Sequence, residues 1–467
     1  MKTALVNLPY RKRVQRRWVA SYFAPNFMIP PLELMGLGAI VKEWKKDEAV
    51  LFDAMAEGWS EERLAAELAR VKPDLLVTMT GFNTFPGDMA CLDRLAAGLP
   101  GTKVVAFGYL PTQFPREVLE RTRVDVVIRD EPELPFSDVY DCLKHGGDLS
   151  KVAGIGYKQD GGVHVSPDRG RQQELDSLPF PDHSLIHLDL YNESYLERPI
   201  GVIMSERGCP HRCTFCVRTF GTKLFSRSAE SLMAEIEQLR RVHGIRNIRF
   251  MDDTFTLNRA RTLKLCAEMV ARKLDISWTC LTRVDAVDAE LLAAMKGAGC
   301  RRMYIAVESG SQRVLDYYRK GLTVETIRER MPAIQRSGIE ASIFFIVGAP
   351  VETDEDVAKS IRLARELDLD FVIVTKLQYW PGTELFEREG SRVQFDIFKE
   401  GELLYEPPIG GAVVAARQRR FYREFYFRPR YFAKRLGTLL RSPRDTLGGF
   451  WKLSAFVLGP RTSDDFI

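Results

Sequence analysis

Cys209-Pro210-His211-Arg212-Cys213-Thr214-Phe215-Cys216 is the run from which the rest of this chain can be read. The spacing C-x3-C-x2-C offers three thiolates to a [4Fe–4S] cube, and a cube held by three cysteines keeps one iron without a protein ligand. Clusters that only relay electrons normally take four cysteines, so the missing ligand points to a cluster that binds a substrate or cosubstrate at iron. The competing reading is a Cys3His zinc site with His211 as the fourth ligand. Zinc motifs usually come as two separated pairs, and no second C-x2-C occurs in the sequence. Cys91, Cys142, Cys266, Cys280 and Cys300 lie scattered among apolar residues and read as core thiols.

Outward from this run the fold class follows. The cysteines come directly after an apolar strand at 200–205, the first of six in a βα series. The remaining strands are expected at 247–251, 277–281, 303–307, 340–347 and 371–377, with amphipathic helices at 229–243, 258–273, 288–298, 323–337 and 354–367. Six such units suit a partial (β/α)6 barrel, whose βα loops at the carboxyl-terminal mouth build active sites. The cysteine run is the first of those loops.

An earlier βα series fills residues 1–145. Strands are expected at 3–8, 49–53, 74–79, 103–108 and 125–128, and helices at 32–44, 60–71, 87–97 and 115–121. This rhythm implies a doubly wound, Rossmann-like α/β domain that takes ligands at the carboxyl ends of its strands. Residues 146–192 read as a connector, with a hairpin turn at Asp160-Gly161-Gly162 and the helix-incompatible Leu178-Pro179-Phe180-Pro181. The expected division is 1–145, connector 146–192, barrel 193–395 and a helical extension 396–467.

Composition bounds the function. The chain has 467 residues, 45% of them apolar, and a net charge of +4, so no global charge points to nucleic acid. No stretch approaches the roughly 20 apolar residues of a membrane span. Unpaired cysteines without a secretory leader predict a reducing compartment, the cytoplasm. One segment stands apart: residues 417–445 carry ten Arg/Lys against two acids, interleaved with seven aromatic residues between Phe421 and Phe432. Two readings are open for it, a peripheral contact with an anionic membrane or a helix packing its aromatics on the barrel and showing its arginines to water.

Taken together, residues 1–400 resemble the cobalamin-binding radical S-adenosylmethionine enzymes, a group that includes cobalamin-dependent methyltransferases and the anaerobic magnesium-protoporphyrin ester cyclase. The marks are Ser205-Glu206-Arg207-Gly208-Cys209, the aromatic Phe215 before the last cysteine, Met251-Asp252-Asp253-Thr254-Phe255-Thr256, Glu308-Ser309-Gly310-Ser311 and Gly348-Ala349-Pro350-Val351-Glu352-Thr353. Two positions depart from the group: the segment at 251–256 is acidic rather than glycine-rich, and Val351 replaces a glycine.

The resemblance implies that Cys209, Cys213 and Cys216 hold the [4Fe–4S] cluster, and that Phe215, Asp252, Asp253, Arg283 and Glu308 contact S-adenosylmethionine. For Asp252, Asp253 and Glu308 a helix-capping role is the structural alternative; Arg283 could equally be a structural ion-pair partner. In the first domain, Pro31, Leu32, Thr78, Thr80, Gly81, Gly108, Tyr109 and Glu131 match the group's cobalamin-facing positions. All six histidines (145, 164, 183, 187, 211 and 243) lie beyond residue 140, so the corrinoid is expected to bind without a histidine from this domain.

The function implied is methylation of an unactivated carbon by a 5′-deoxyadenosyl radical and methylcobalamin. The rivals are a radical cyclase or oxidase of the tetrapyrrole type and a non-catalytic zinc- or cobalamin-binding protein. Segment 420–429 is reminiscent of the cyclase branch. The expected partners are a low-potential electron donor of the flavodoxin or ferredoxin type and a small-molecule, lipid or tetrapyrrole-like substrate.

Overall fold

A computed structural model describes residues 1–17, 21–23, 27–193, 196–390, 396–399 and 409–431. The chain forms an α/β structure built on two largely parallel sheets. In the first, β1 (Lys2–Asn7), β2 (Glu48–Asp53), β3 (Leu75–Thr80), β4 (Lys103–Gly108) and β5 (Val126–Ile128) run parallel in the order 2-1-3-4-5. β1, β3 and β5 are buried almost throughout, as strands covered by helices on both faces must be. The expected 160–162 turn is present, and its hairpin β6 (Ile155–Gln159) and β7 (Gly162–Val165) does not hang between domains. It pairs antiparallel with β5 and extends the first sheet to seven strands.

The second sheet contains β8 (Ile200–Ile203), β9 (Asn247–Phe250), β10 (Ser277–Thr282), β11 (Cys300–Glu308), β12 (Glu340–Val347) and β13 (Phe371–Lys376), all parallel and in chain order. Helices follow the expected phases, several with side-chain caps; Thr353 and Asp356 form a reciprocal capping box. A single apolar cluster runs from Ile203 to Phe425, packing these helices and the carboxyl-terminal helix on the sheet.

That helix, Gly411–Tyr426, accounts for the aromatic-basic segment. A sheet in chain order leaves β13 as an edge, with backbone groups that need partners. The helix supplies them from side chains. The Tyr426 hydroxyl donates to Val372 O and accepts from Val372 N, both at 3.0 Å. Tyr422 does the same at Val374, at 3.3 and 2.9 Å, and Gln418 donates to Val374 O at 2.6 Å. Phe421 and Phe425 are fully buried. For the described residues the packing alternative holds, and the aromatic face weighed for a membrane is occupied by the sheet; positions 432–445 lie outside the described residues. No helix among the described residues is long and apolar enough to cross a membrane. Tyr426→Phe will strand the N–H and C=O of Val372, and Tyr422→Phe the N–H of Val374, whose C=O keeps Gln418; each will cost about 1–2 kcal/mol. Thermal denaturation should show both single losses and a larger one for the pair.

The connector is anchored by a buried histidine. His183 is 1% exposed, its Nδ1 lies 3.0 Å from Pro181 O, and its ring sits 5.8 Å from that of His243. Burial lowers the His183 pKa to about 4. The unfolded chain binds this proton more readily, so stability is retained above pH 6.5 and lost as pH falls from about 6.5 towards 4, by about 3 kcal/mol in all. Urea midpoints at pH 7.5 and 5 should reveal this slope, and His183→Asn should flatten it.

Candidate active site

The cysteine run is a loop with a closed stem. Directly beyond β8, Glu206–Arg207 pairs antiparallel with Phe225–Ser226. Gly208 opens the loop at φ +89°, and a Cβ there would lie 2.1 Å from Lys223 O, so only glycine allows the two sides of the stem to approach this closely. Cys209 N donates to Gly221 O at 3.1 Å and Cys216 N to Cys213 O at 3.2 Å. The middle is pinned from two other βα loops: Thr214 N donates to Tyr318 O, and Leu385 N to Thr214 O, both at 2.9 Å. Phe215 packs edge-on against Tyr318, 4.9 Å between centroids, beside Ala349 and Leu385.

Burial is the main cause holding all three thiols above the ordinary thiol range, and each senses charges on its neighbours: Lys320 and Arg283 beside Cys213, Asp253 and the other two cysteines beside Cys216. Such thiols stay protonated until a metal replaces the proton. Cys213 is buried, whereas Cys216 is walled in by protein yet open to solvent along the cleft between the two sheets. Among the described residues no three His, Cys, Asp or Glu side chains converge as the ligand set of one ion. His211, the candidate fourth zinc ligand, is half-buried and kept neutral by burial and by Arg283. Three separated thiols in one loop suit the corners of a cube, which spreads its ligands over different irons.

The acidic segment after β9 divides its labour. Asp252 is buried and accepts from Ser205 N and Ser205 Oγ, both at 2.6 Å, and from Glu206 N at 2.9 Å; it braces the loop stem instead of capping a helix. Asp253 opens onto the cleft and makes no hydrogen bond through its carboxylate among the described residues; desolvation by the enclosing protein, countered by Arg17 and reinforced by Asp252, pushes it up to about 6. Of the two, Asp253 is the one available to an ammonium or hydroxyl. Arg283 is already held by Asp285 through two contacts of 2.9 Å. Glu308 sits in left-handed backbone, φ +72°, at a register shift in the β11–β12 pairing, and is ion-paired with buried Lys320 at 2.8 Å. An acidic side chain held in such backbone is a local strain that the surrounding structure must maintain.

The first sheet turns its carboxyl edge to this loop. Gly108 has φ +129°, and a Cβ there would lie 2.3 Å from Thr80 O, so the ends of β3 and β4 close to a distance no larger residue allows. The Thr80 hydroxyl beside it is buried and has no partner among the described residues. Thr78 donates to Val6 O inside the sheet at 2.9 Å. Gly81 leads into the Phe82–Thr84 turn, where Phe82 meets Trp380 of the second unit at 4.6 Å. Tyr109 donates to Pro381 O and senses Cys216. Pro31 accepts from Met35 N at the start of the helix Leu32–Ala39, and Leu32 packs with Ile29, Val202 and Met251.

Glu131 does something different from facing a ligand. It and Glu133 clamp Arg207, at 2.8 and 2.6 Å, two residues before Cys209. Arg207 and Glu131 belong to separate motifs, and nothing in the order of residues signals that they meet. Lys320 was missed as well, because no local spacing links it to Glu308. So was Glu33, a buried carboxylate in the first turn of a helix.

Comparison with known proteins comes to the same arrangement. Residues 204–364 match the Radical SAM superfamily model. The chain is 33% identical to an uncharacterized methyltransferase, PH0819, of Pyrococcus horikoshii over 362 residues, which are 77% of this chain and 78% of that protein. It is 26% identical to the anaerobic magnesium-protoporphyrin IX monomethyl ester cyclase of Rubrivivax gelatinosus, over 79% of this chain and 68% of that protein. Among solved structures, the radical S-adenosylmethionine methyltransferase TsrM of Kitasatospora setae with cobalamin and a [4Fe-4S] cluster bound superposes with TM-score 0.65 at 18% identity. The match covers 82% of this chain and 74% of TsrM, and it speaks to the fold.

Proposed function

Because the chain belongs to the cobalamin-binding radical S-adenosylmethionine enzymes, we propose that it methylates an unactivated carbon of a small molecule. The family's cofactors are a [4Fe–4S] cluster, S-adenosylmethionine and cobalamin. The observation that carries the reading is the shared cleft: the cysteine loop is fastened to the carboxyl edge of the doubly wound sheet by the Arg207 clamp. In that cleft Cys216 and Tyr109 lie within electrostatic reach.

The residues suit these groups. Cys209, Cys213 and Cys216 would hold three irons, with the open face at Cys216 turned to the cleft. Asp253 would receive the ammonium of S-adenosylmethionine, Phe215 would support its aromatic end, and Glu308, held by Lys320, would face its ribose. Thr80, Gly81, Gly108 and Tyr109 would flank cobalamin, with the unpartnered Thr80 hydroxyl as a donor. When bound, the cluster and S-adenosylmethionine supply hydrogen abstraction from carbon, and cobalamin supplies a transferable methyl group. The chain's own part is to exclude water from the cleft, orient the ligands and keep the cluster loop rigid. Electrons come from a low-potential donor of the flavodoxin or ferredoxin class.

Anaerobic turnover with candidate substrates and mass spectrometry tests this. The expected product is heavier by one CH2, with two S-adenosylmethionine consumed per turnover. Formation of 5′-deoxyadenosine with a product that has lost hydrogen or gained oxygen would instead establish the cyclase or oxidase chemistry.

A further inference from the structure

A cavity of about 60 Å³ lies between the two units. One wall is the amino-terminal turn of the helix Leu32–Ala39, and a second is Pro132–Glu133 after β5, both at the carboxyl edge of the first sheet. The third is Met204 and Phe220 of the cysteine loop, and Leu178 and Pro181 of the connector close it. The lining is mostly apolar, and its polar groups are nearly all engaged. Glu133 and Arg207 are paired with each other. Arg227 holds Glu235 and Ser231.

Glu33 is the exception. It is 7% exposed, and its Oε1 meets Arg17 at a long 3.4 Å. Its Oε2 is buried without a hydrogen-bond partner among the described residues. A buried carboxylate oxygen left unpaired costs several times what a neutral acceptor would, so its presence in an apolar cavity marks a place where a donor arrives with a ligand. Arg17 also reaches Met251 O at 3.5 Å and offsets the charge of Asp253, which joins this cavity to the cluster side of the cleft.

We propose that Glu33 Oε2 accepts a hydrogen bond from a carboxamide N–H on the rim of a bound corrinoid. The inference rests on the cobalamin reading above. A corrinoid presents an apolar ring edge fringed with primary carboxamides, and the cavity presents apolar walls with one unspent acceptor. Its volume of about 60 Å³ admits a single carboxamide arm of that rim. The position, at the carboxyl edge and between two helix starts, is where a doubly wound sheet takes its ligand.

The test is titration of the full-length protein with hydroxocobalamin, followed by visible absorbance and equilibrium dialysis, for wild type, Glu33→Gln and Glu33→Met. Glutamine must turn its NH2 towards either Arg17 or the incoming amide, so it cannot satisfy both. Both variants should bind hydroxocobalamin at least tenfold more weakly, while their melting temperature without cobalamin is no lower than that of wild type, because the buried, unpartnered Oε2 has been removed at the expense of only a long contact with Arg17. If wild type binds no hydroxocobalamin, the cobalamin reading itself fails. If wild type binds and both variants bind equally well, only the role of Glu33 fails. Variants that unfold, or lose stability in step with affinity, would show Glu33 to be a structural residue and overturn the proposal.

Discussion

Changing any one of Cys209, Cys213 and Cys216 to alanine will leave a folded protein that cannot be reconstituted with a [4Fe–4S] cluster. Anaerobic reconstitution should give wild type a broad visible absorbance and about four irons per chain, and the variants neither. Turnover of S-adenosylmethionine should fall to background. The loop's backbone is held by Gly221, Tyr318 and Leu385, not by the thiols, so melting temperatures without the cluster should change little. The same replacement at Cys300, fully buried in the second unit, is the control: it should keep the iron and cost only packing, about 1–2 kcal/mol. Iron retained in a Cys213→Ala protein would sink the assignment of the triad.

The second large effect is expected at Arg207. Its side chain is 10% exposed and neutralises the buried Glu131 and the partly buried Glu133, with the Phe220 ring 5.1 Å away. Arg207→Met removes the cation and leaves Glu131 and Glu133 desolvated together, a change that costs about 3–5 kcal/mol in comparable buried networks. Since Arg207 is also the last stem residue before Gly208 and Cys209, iron occupancy should fall with stability. The triple variant Arg207→Met, Glu131→Gln, Glu133→Gln removes the stranded charges and should recover most of the melting temperature. Recovery of iron in the triple variant would show that the pocket needs a neutral clamp; continued loss would show that it needs the salt bridge itself.

Much of this architecture was legible in residue order. Parallel strands buried on both faces appear as short apolar runs, and helices between them as amphipathic ones, so the expected elements of both series lie within a few residues of their places, whereas the helix Glu133–His145 is not among them. The cysteine spacing located its loop because covalent spacing survives folding unchanged. What could not be read were pairings between distant segments. Arg207 and Glu131 are 76 residues apart, and whether an acid at a strand's carboxyl end faces a ligand or a guanidinium depends on how two sheets dock. Asp252 and Asp253 are adjacent and chemically identical, yet the irregular turn that follows β9 sends one into the loop stem and the other to the cleft. The hairpin at 155–165 was recognisable as a hairpin, but its docking on β5 depends on an unfilled sheet edge that no local pattern announces.

The carboxyl-terminal helix and β13 obey a commensurability condition. Four residues of helix advance about 6.0 Å, and two residues of strand about 6.6 Å. Tyr422 and Tyr426, one i, i+4 step, therefore meet Val374 and Val372, one i, i−2 step, with the two axes running in opposite senses. The residual of about 0.6 Å per step accumulates, so a helix can track a strand in this way for only a few rungs. Here the tracking ends with Tyr431 at Asp370 O, 3.2 Å, just beyond the helix. Lengths on either side are thus coupled: a single residue inserted between 422 and 426 would rotate the second hydroxyl by about 100° off the sheet. The tail is a ruler cut to one strand.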